Sequence, residues 1–111
     1  MSRNIVKPIV MTDIESTGVS ASYVAINATG LPFACFYILI NNNSTEDVTV
    51  SLDGTNPHFY VPTMTELPIN AQTNSQPSNN VAQFAAGTVF WVKGTTGTGF
   101  IYLSGLYQPL S

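Results

Sequence analysis

Punctuation constrains this chain more than any other feature. Short β-branched and aromatic runs recur from end to end, and each is cut by Gly, Asn, Pro or Ser. No window carries apolar residues at the 3.6 spacing of an amphipathic helix over several turns. A chain of 111 residues has room for one core. Many short strands around one core predict an all-β fold: an antiparallel β-sandwich, jelly-roll-like, of about seven or eight strands in a single domain over residues 1–111.

The strands are placed by their patterning. Residues 5–10 form the first, and Pro8 within it restricts it to an edge strand or an N-terminal arm, residues 1–10, that pairs with a partner's sheet. Residues 20–27 alternate, with Ala21, Tyr23, Ala25 and Asn27 on one side and Val24 and Ile26 on the other. Residues 33–40 form the most apolar strand, loaded on both faces, and residues 41–46 a polar loop. Residues 47–52 place Val48, Val50 and Leu52 inward and Thr49 and Ser51 outward. Asp53-Gly54 marks a turn, because both residues tolerate positive φ. Residues 58–61 follow as a strand, 64–69 are ambiguous around Pro68, and 70–80 read as loop. Residues 81–86 read as a short turn or strand. Residues 88–93 and 100–107 are expected to pair as a hairpin across the glycine-rich stretch 94–99.

Charge narrows the functions. Three basic and six acidic residues give a formal net charge of -3, and charged residues are only 8% of the chain. Nucleic-acid binding needs clustered Lys and Arg to displace counterions, and a polybasic membrane anchor needs the same, so neither partner is expected. The first eight residues lack the apolar stretch of a signal peptide, and no run reaches the ~20 apolar residues of a membrane helix. Synthesis in the cytoplasm is the expectation.

Chemistry is poorly provided for, and no enzyme activity, cofactor or metal is expected. The single cysteine, Cys35, lies within an apolar run and reads as a buried, inert thiol. His58 is the sole histidine, too few with one Cys for a zinc site. Glu46, Asp47, Asp53 and Asn56 fall near one hairpin but lack the spacing of a calcium loop. Asp13, Glu15 and Glu66 add further carboxylates near turns, without a cleft for glycoside hydrolysis. The Gly-rich stretch 94–99 resembles a phosphate loop only superficially, since Lys93 precedes its glycines and a strand follows them.

The apolar excess is more informative. Residues 33–40, 88–92 and 100–103 offer large apolar groups on both faces, and one face of each needs a cover. The candidate contacts, with a partner or between two copies, are Ile5, Val6, Ile9, Phe59, Tyr60, Phe90, Trp91, Phe100 and Tyr102. Tyr60, Trp91, Tyr102 and Tyr107 are also the aromatics that a sugar-stacking platform would use, although such residues in a sandwich more commonly serve core or interface. A symmetric homodimer is expected from the loaded strand faces and the scarcity of charge.

Several segments carry a resemblance. Ile-Leu-Ile-Asn-Asn-Asn (38–43), Asp-Val-Thr-Val-Ser-Leu-Asp-Gly (47–54) and His-Phe-Tyr-Val-Pro (58–62) look like a pattern common in small virion proteins of tailed bacteriophages. Gly-Thr-Val-Phe-Trp-Val-Lys-Gly (87–94) and Gly-Thr-Gly-Phe-Ile-Tyr-Leu (97–103) continue it. Length and composition are similar to the capsid cement, or staple, proteins of short-tailed phages of the epsilon-fifteen type. The resemblance implies a jelly-roll-like protein on the capsid exterior, partnered by the major capsid protein, paired across two-fold positions and clamping neighbouring subunits. A neck or tail adaptor from the same pool of β-domains, or a carbohydrate-binding β-module, are the alternatives. No binding motif is carried over by the resemblance.

Overall fold

The computed structural model describes residues 7–70 and 84–107. The expectations for Ile5 and Val6, for residues 71–80 and for residues 81–83 lie outside the described residues.

Nine strands and one short 3-10 turn make up the described chain. They are β1 (Lys7–Pro8), β2 (Thr12–Glu15), the turn Ser16–Gly18, β3 (Val24–Ala25), β4 (Tyr37–Ser44), β5 (Val48–Ser51), β6 (Phe59–Val61), β7 (Thr65–Asn70), β8 (Trp91–Gly94) and β9 (Gly99–Tyr107). They form two antiparallel sheets. The first runs β1-β9-β4-β7, with β2 also on β9, and the second runs β3-β8-β5-β6. The logic is that of a long ribbon folded back at β5–β6. Its two arms pair as β5/β6, β4/β7, β3/β8 and β2/β9, and rolling the ribbon adds the ladders β4/β9 and β5/β8. Successive rungs alternate between sheets, which is a jelly roll.

Alternation sets what lies between the sheets. Ile38 and Ile40 of β4, Ile101 and Leu103 of β9, Val48 and Val50 of β5, Val92 of β8 and Val61 of β6 are all buried. Val19, Ile26, Leu31, Cys35 and Phe90 complete this cluster. Every second residue on these strands faces the opposite way, as the two-residue strand period requires.

Three sequence expectations need correction. First, β8 and β9 do not pair with each other. β8 lies between β3 and β5 in the second sheet, and β9 lies beside β4 in the first, so the glycine-rich stretch crosses between sheets. Gly99, at φ +100, enters β9 with its Cα against the Asn43 carbonyl, where a Cβ would stand only 2.3 Å from that oxygen. Second, the strand expected over 33–40 spans Tyr37–Ser44. Residues 33–36 lead into it, held by a bridge from Cys35 to Phe84 and by the Phe36 amide, which donates to the Leu106 carbonyl. Its polar end continues as strand because inward Asn42 and Ser44 are bonded from the side: the Asn42 amide donates to the Glu46 and Val61 carbonyls, and Ser44 donates to Asn42 Oδ1.

Third, outward-facing Ser51 is fully buried instead of solvated. Its hydroxyl accepts from the Asp53 and Gly54 amides and donates to the Asp53 carboxylate, so the loop after β5 folds back over it. The edge strand expected around Pro8 is present as β1, at the edge of the chain's own first sheet. Lys7 and Pro8 face Tyr107 and Leu106 of the same chain's β9. Between the Pro8–Leu106 and Thr12–Leu103 pairs, this edge has three residues where β9 has two. The extra residue is a β-bulge, and with Pro8 it blunts an edge that otherwise invites further pairing. Ambiguous residues 64–69 resolve as edge strand β7, where Pro68 faces Leu39.

Candidate interaction surface

Register assigns the sequence's candidate residues to different places. Phe90 lies wholly in the core, 0% exposed, and packs edge-on against Phe84 with ring centroids 5.7 Å apart. It has no surface to offer a partner, and its selection as a contact is corrected. Phe59 is half-buried and packs on the core from β6. Trp91 and Tyr60 share the outer side of the second sheet, opposite Ser51 and Thr49 respectively. Phe100 and Tyr102 point out from the first sheet, on the far side of the sandwich. Tyr107 stacks on Phe33 at 4.1 Å and packs partly on the core. The four aromatics proposed for sugar stacking therefore do not share a surface.

The outer side of the second sheet is occupied largely by its own groups. The loop after β5 lies over Trp91: Gly54, at φ +76, comes so close that a Cβ would stand 3.2 Å from the indole. Lys93 sits over the Tyr23 ring, 4.8 Å from its centroid. Tyr60 donates a hydrogen bond of 2.6 Å to the Asp47 carboxylate, which also accepts from the Thr63 amide at 2.7 Å. These bonds, that from Tyr60 foremost, hold the Asp47 carboxyl below the usual carboxylate range, and the same bond raises the Tyr60 hydroxyl.

Asp53 is held in the same way. Its carboxylate accepts from the Asn56 amide, the Thr55 amide, the Asn56 side chain and the Ser51 hydroxyl, all within 2.8–2.9 Å. These donors, the Asn56 amide first, push its pKa well below the usual carboxylate range. Asp47 and Asp53 are thus committed to their own turns. A carboxyl whose folded pKa is depressed adds stability that is present above its unfolded value, near 3.8, and lost as pH falls through the folded value. The urea midpoint of the native protein should therefore fall as pH drops below about 4. Asp53→Asn should shrink the difference between pH 6 and pH 2.5. An unchanged difference in that variant would show that other carboxylates set the acid response.

Cys35 is fully buried, and burial pushes its thiol above the ordinary value. Its Sγ lies 3.3 Å from the Phe33 carbonyl, to which the thiol donates. Among the described residues no three His, Cys, Asp or Glu side chains come together as a ligand set.

The first sheet is different, because its outer side has an apolar end. Pro8, Met11, Tyr37, Leu39 and Leu106 surround a groove of about 330 Å3, with Ile9, Ser104 and Gly105 completing it. Ile9 also packs on the core, so this candidate contact joins the groove to the interior. Met11, from the bulge, lines the groove while 52% exposed, and neighbouring Val10 is 84% exposed. Apolar side chains so exposed mark an interaction surface when they cluster. Sequence reading missed Pro8, Met11, Tyr37, Leu39 and Leu106 because three separate segments contribute them. The loading of both faces of residues 33–40, with Tyr37 and Leu39 on the side opposite Ile38 and Ile40, was the available signal for the middle strand. No family model, curated protein or solved structure matches this chain.

Proposed function

We propose that the chain is a virion structural protein, a capsid cement that binds the outside of the major capsid lattice as a homodimer and clamps neighbouring subunits. The resemblance of residues 33–107 to small phage virion proteins supplies the class. The observation that carries the reading is the apolar groove of the first sheet, with Met11 exposed in its lining and the adjacent Val10 exposed beside it in sequence. A chain with three basic residues is ill equipped for an electrostatic clamp, whereas this groove offers apolar burial, worth roughly 25 cal/mol per Å2. Many copies on one lattice add avidity to a modest single contact.

The test is co-sedimentation with empty, expanded heads of the phage that carries the chain. The protein should occupy hundreds of sites rather than one ring, and occupancy should change little between about 0.05 and 0.5 M salt. Met11→Asp and Leu106→Asp each place a charge in the groove, and each should weaken binding by about tenfold or more. Thr49→Asp, on the other sheet, serves as the control and should bind normally. Full occupancy by both groove variants, or failure of the native protein to sediment with heads, would refute the proposal.

A further inference from the structure

The far end of the same sheet face is built differently from the groove. Two consecutive cross-strand rows repeat one arrangement over β2, β9 and β4. Glu15, Phe100 and Asn43 form one row, and Asp13, Tyr102 and Asn41 the next. Each row sets an aromatic between a carboxylate and an amide, on strands about 4.8 Å apart. The two rings lie with their planes 25° apart and centroids separated by 6.0 Å, so they form one stepped apolar surface.

The polar groups of these rows are free. Among the described residues, Asp13, Glu15, Asn41 and Asn43 have no side-chain hydrogen-bond partner, whereas inward Asn27 and Asn42 and the turn residues Asp47 and Asp53 are fully engaged. Asn41 and Asn43 thus contrast with Asn42 on the same strand.

We propose that these two rows bind an uncharged oligosaccharide, at least two sugar units long. A carboxylate only accepts hydrogen bonds, while an amide both donates and accepts. A pair of sugar hydroxyls, each donor and acceptor, satisfies both, and the apolar face of the ring lies on the aromatic between them. A guanidinium or ammonium group has no acceptor and leaves the amide donors unmet. An anionic ligand meets the repulsion of Asp13, Glu15 and, across Asn41, Glu66, with no described cation in these rows to offset it. The rows lie at the opposite end of β9 from Leu106, so the site does not depend on the groove or on capsid binding.

The experiment is a titration of the isotope-labelled full chain, followed by amide NMR, with cellohexaose, maltohexaose and chitohexaose as neutral probes. A heparin hexasaccharide and an Arg-containing pentapeptide supply the charged arms. At least one neutral probe should shift the backbone signals of Glu15, Phe100 and Tyr102 and the side-chain amides of Asn41 and Asn43, at probe concentrations up to about 10 mM. The Trp91 indole, on the opposite sheet, should not move. Phe100→Ser should weaken binding by about tenfold, and Glu15→Gln, which keeps the shape of the side chain, by several-fold. Far-UV circular dichroism confirms that each variant is folded. No shift with all three neutral probes overturns the proposal. So do shifts confined to other residues, or a response only to heparin or to the Arg peptide.

Discussion

Phe90→Ala is expected to lower the stability of the fold by about 3–5 kcal/mol, while Trp91→Ala next to it should cost less than half as much. Consecutive residues on a strand face opposite ways, and here the division is complete. Phe90 is 0% exposed and closes the core between the sheets, edge-on to Phe84. Its backbone amide donates to Asn27 Oδ1, and the Asn27 amide donates to the Thr88 carbonyl, so the backbone at this point is fixed. Neighbouring side chains cannot move in to fill the space of a lost ring, and the cavity term is large. Trp91 is half-buried beneath the loop at Gly54, which can settle towards the sheet when the indole is gone. Urea or thermal unfolding followed by circular dichroism decides the matter. A domain of this size should lose at least 10 °C of Tm, by order of magnitude, for the Phe90 change. Equal effects at the two positions would mean that the loop over Trp91 contributes as much as the core.

The same pair of residues shows how much was legible in the sequence. The run 88–93 is clearly strand-forming, and its alternation separates Phe90 from Trp91, but alternation does not say which face is the core when both are apolar. Partner choice was still less legible. A short glycine-rich stretch between two strands has the composition of a hairpin loop, and here it crosses between sheets because each of its flanking strands already has two neighbours: β3 and β5 beside β8, β2 and β4 beside β9. Hydrophobic patterning fixes which side of a strand is buried only where the other side is polar; long-range pairing fixes the ladder. Asn and Ser mislead at residues 41–44 for a related reason. They favour loops because their side chains bond nearby backbone, and Asn42 and Ser44 make such bonds from within a strand. Of the outward aromatics, Phe100 and Tyr102 were visible as candidate contacts, though not as neighbours on one face. The groove was not, because the bulge that exposes Val10 and Met11 arises only when the edge is paired with β9.

Asn42→Ala should destabilise the protein by about 3 kcal/mol or more, which is a large part of the margin of a small domain. Asn42 is 0% exposed, and all of its amide is used. Nδ2 donates to the Glu46 carbonyl at 2.9 Å and to the Val61 carbonyl at 3.0 Å, tying β4 to the turn that follows it and to β6 in the opposite sheet. Oδ1 accepts from the Ser44 amide at 3.2 Å and from the Ser44 hydroxyl at 2.5 Å. Alanine removes the partner of several buried groups at once, each worth about 1–3 kcal/mol when left unpaired. Asn41→Ala, one residue away and facing outward, should stay within about 0.5 kcal/mol. Asn42→Asp provides a sharper test. At neutral pH it sets a buried carboxylate against two carbonyl oxygens, so it should be worse than alanine. Burial and those carbonyls raise its folded pKa above the unfolded value. Such a group contributes most at low pH and loses that contribution as pH rises through the folded value, the reverse of Asp53. The Asn42→Asp variant should therefore gain on the wild type as pH is lowered from 7 towards 4, because the protonated carboxyl again has a hydrogen to donate. Urea midpoints measured at both pH values report the difference. A gap between this variant and the wild type that does not narrow on acidification would mean that Asn42 acts by shape and not through the bonds it donates.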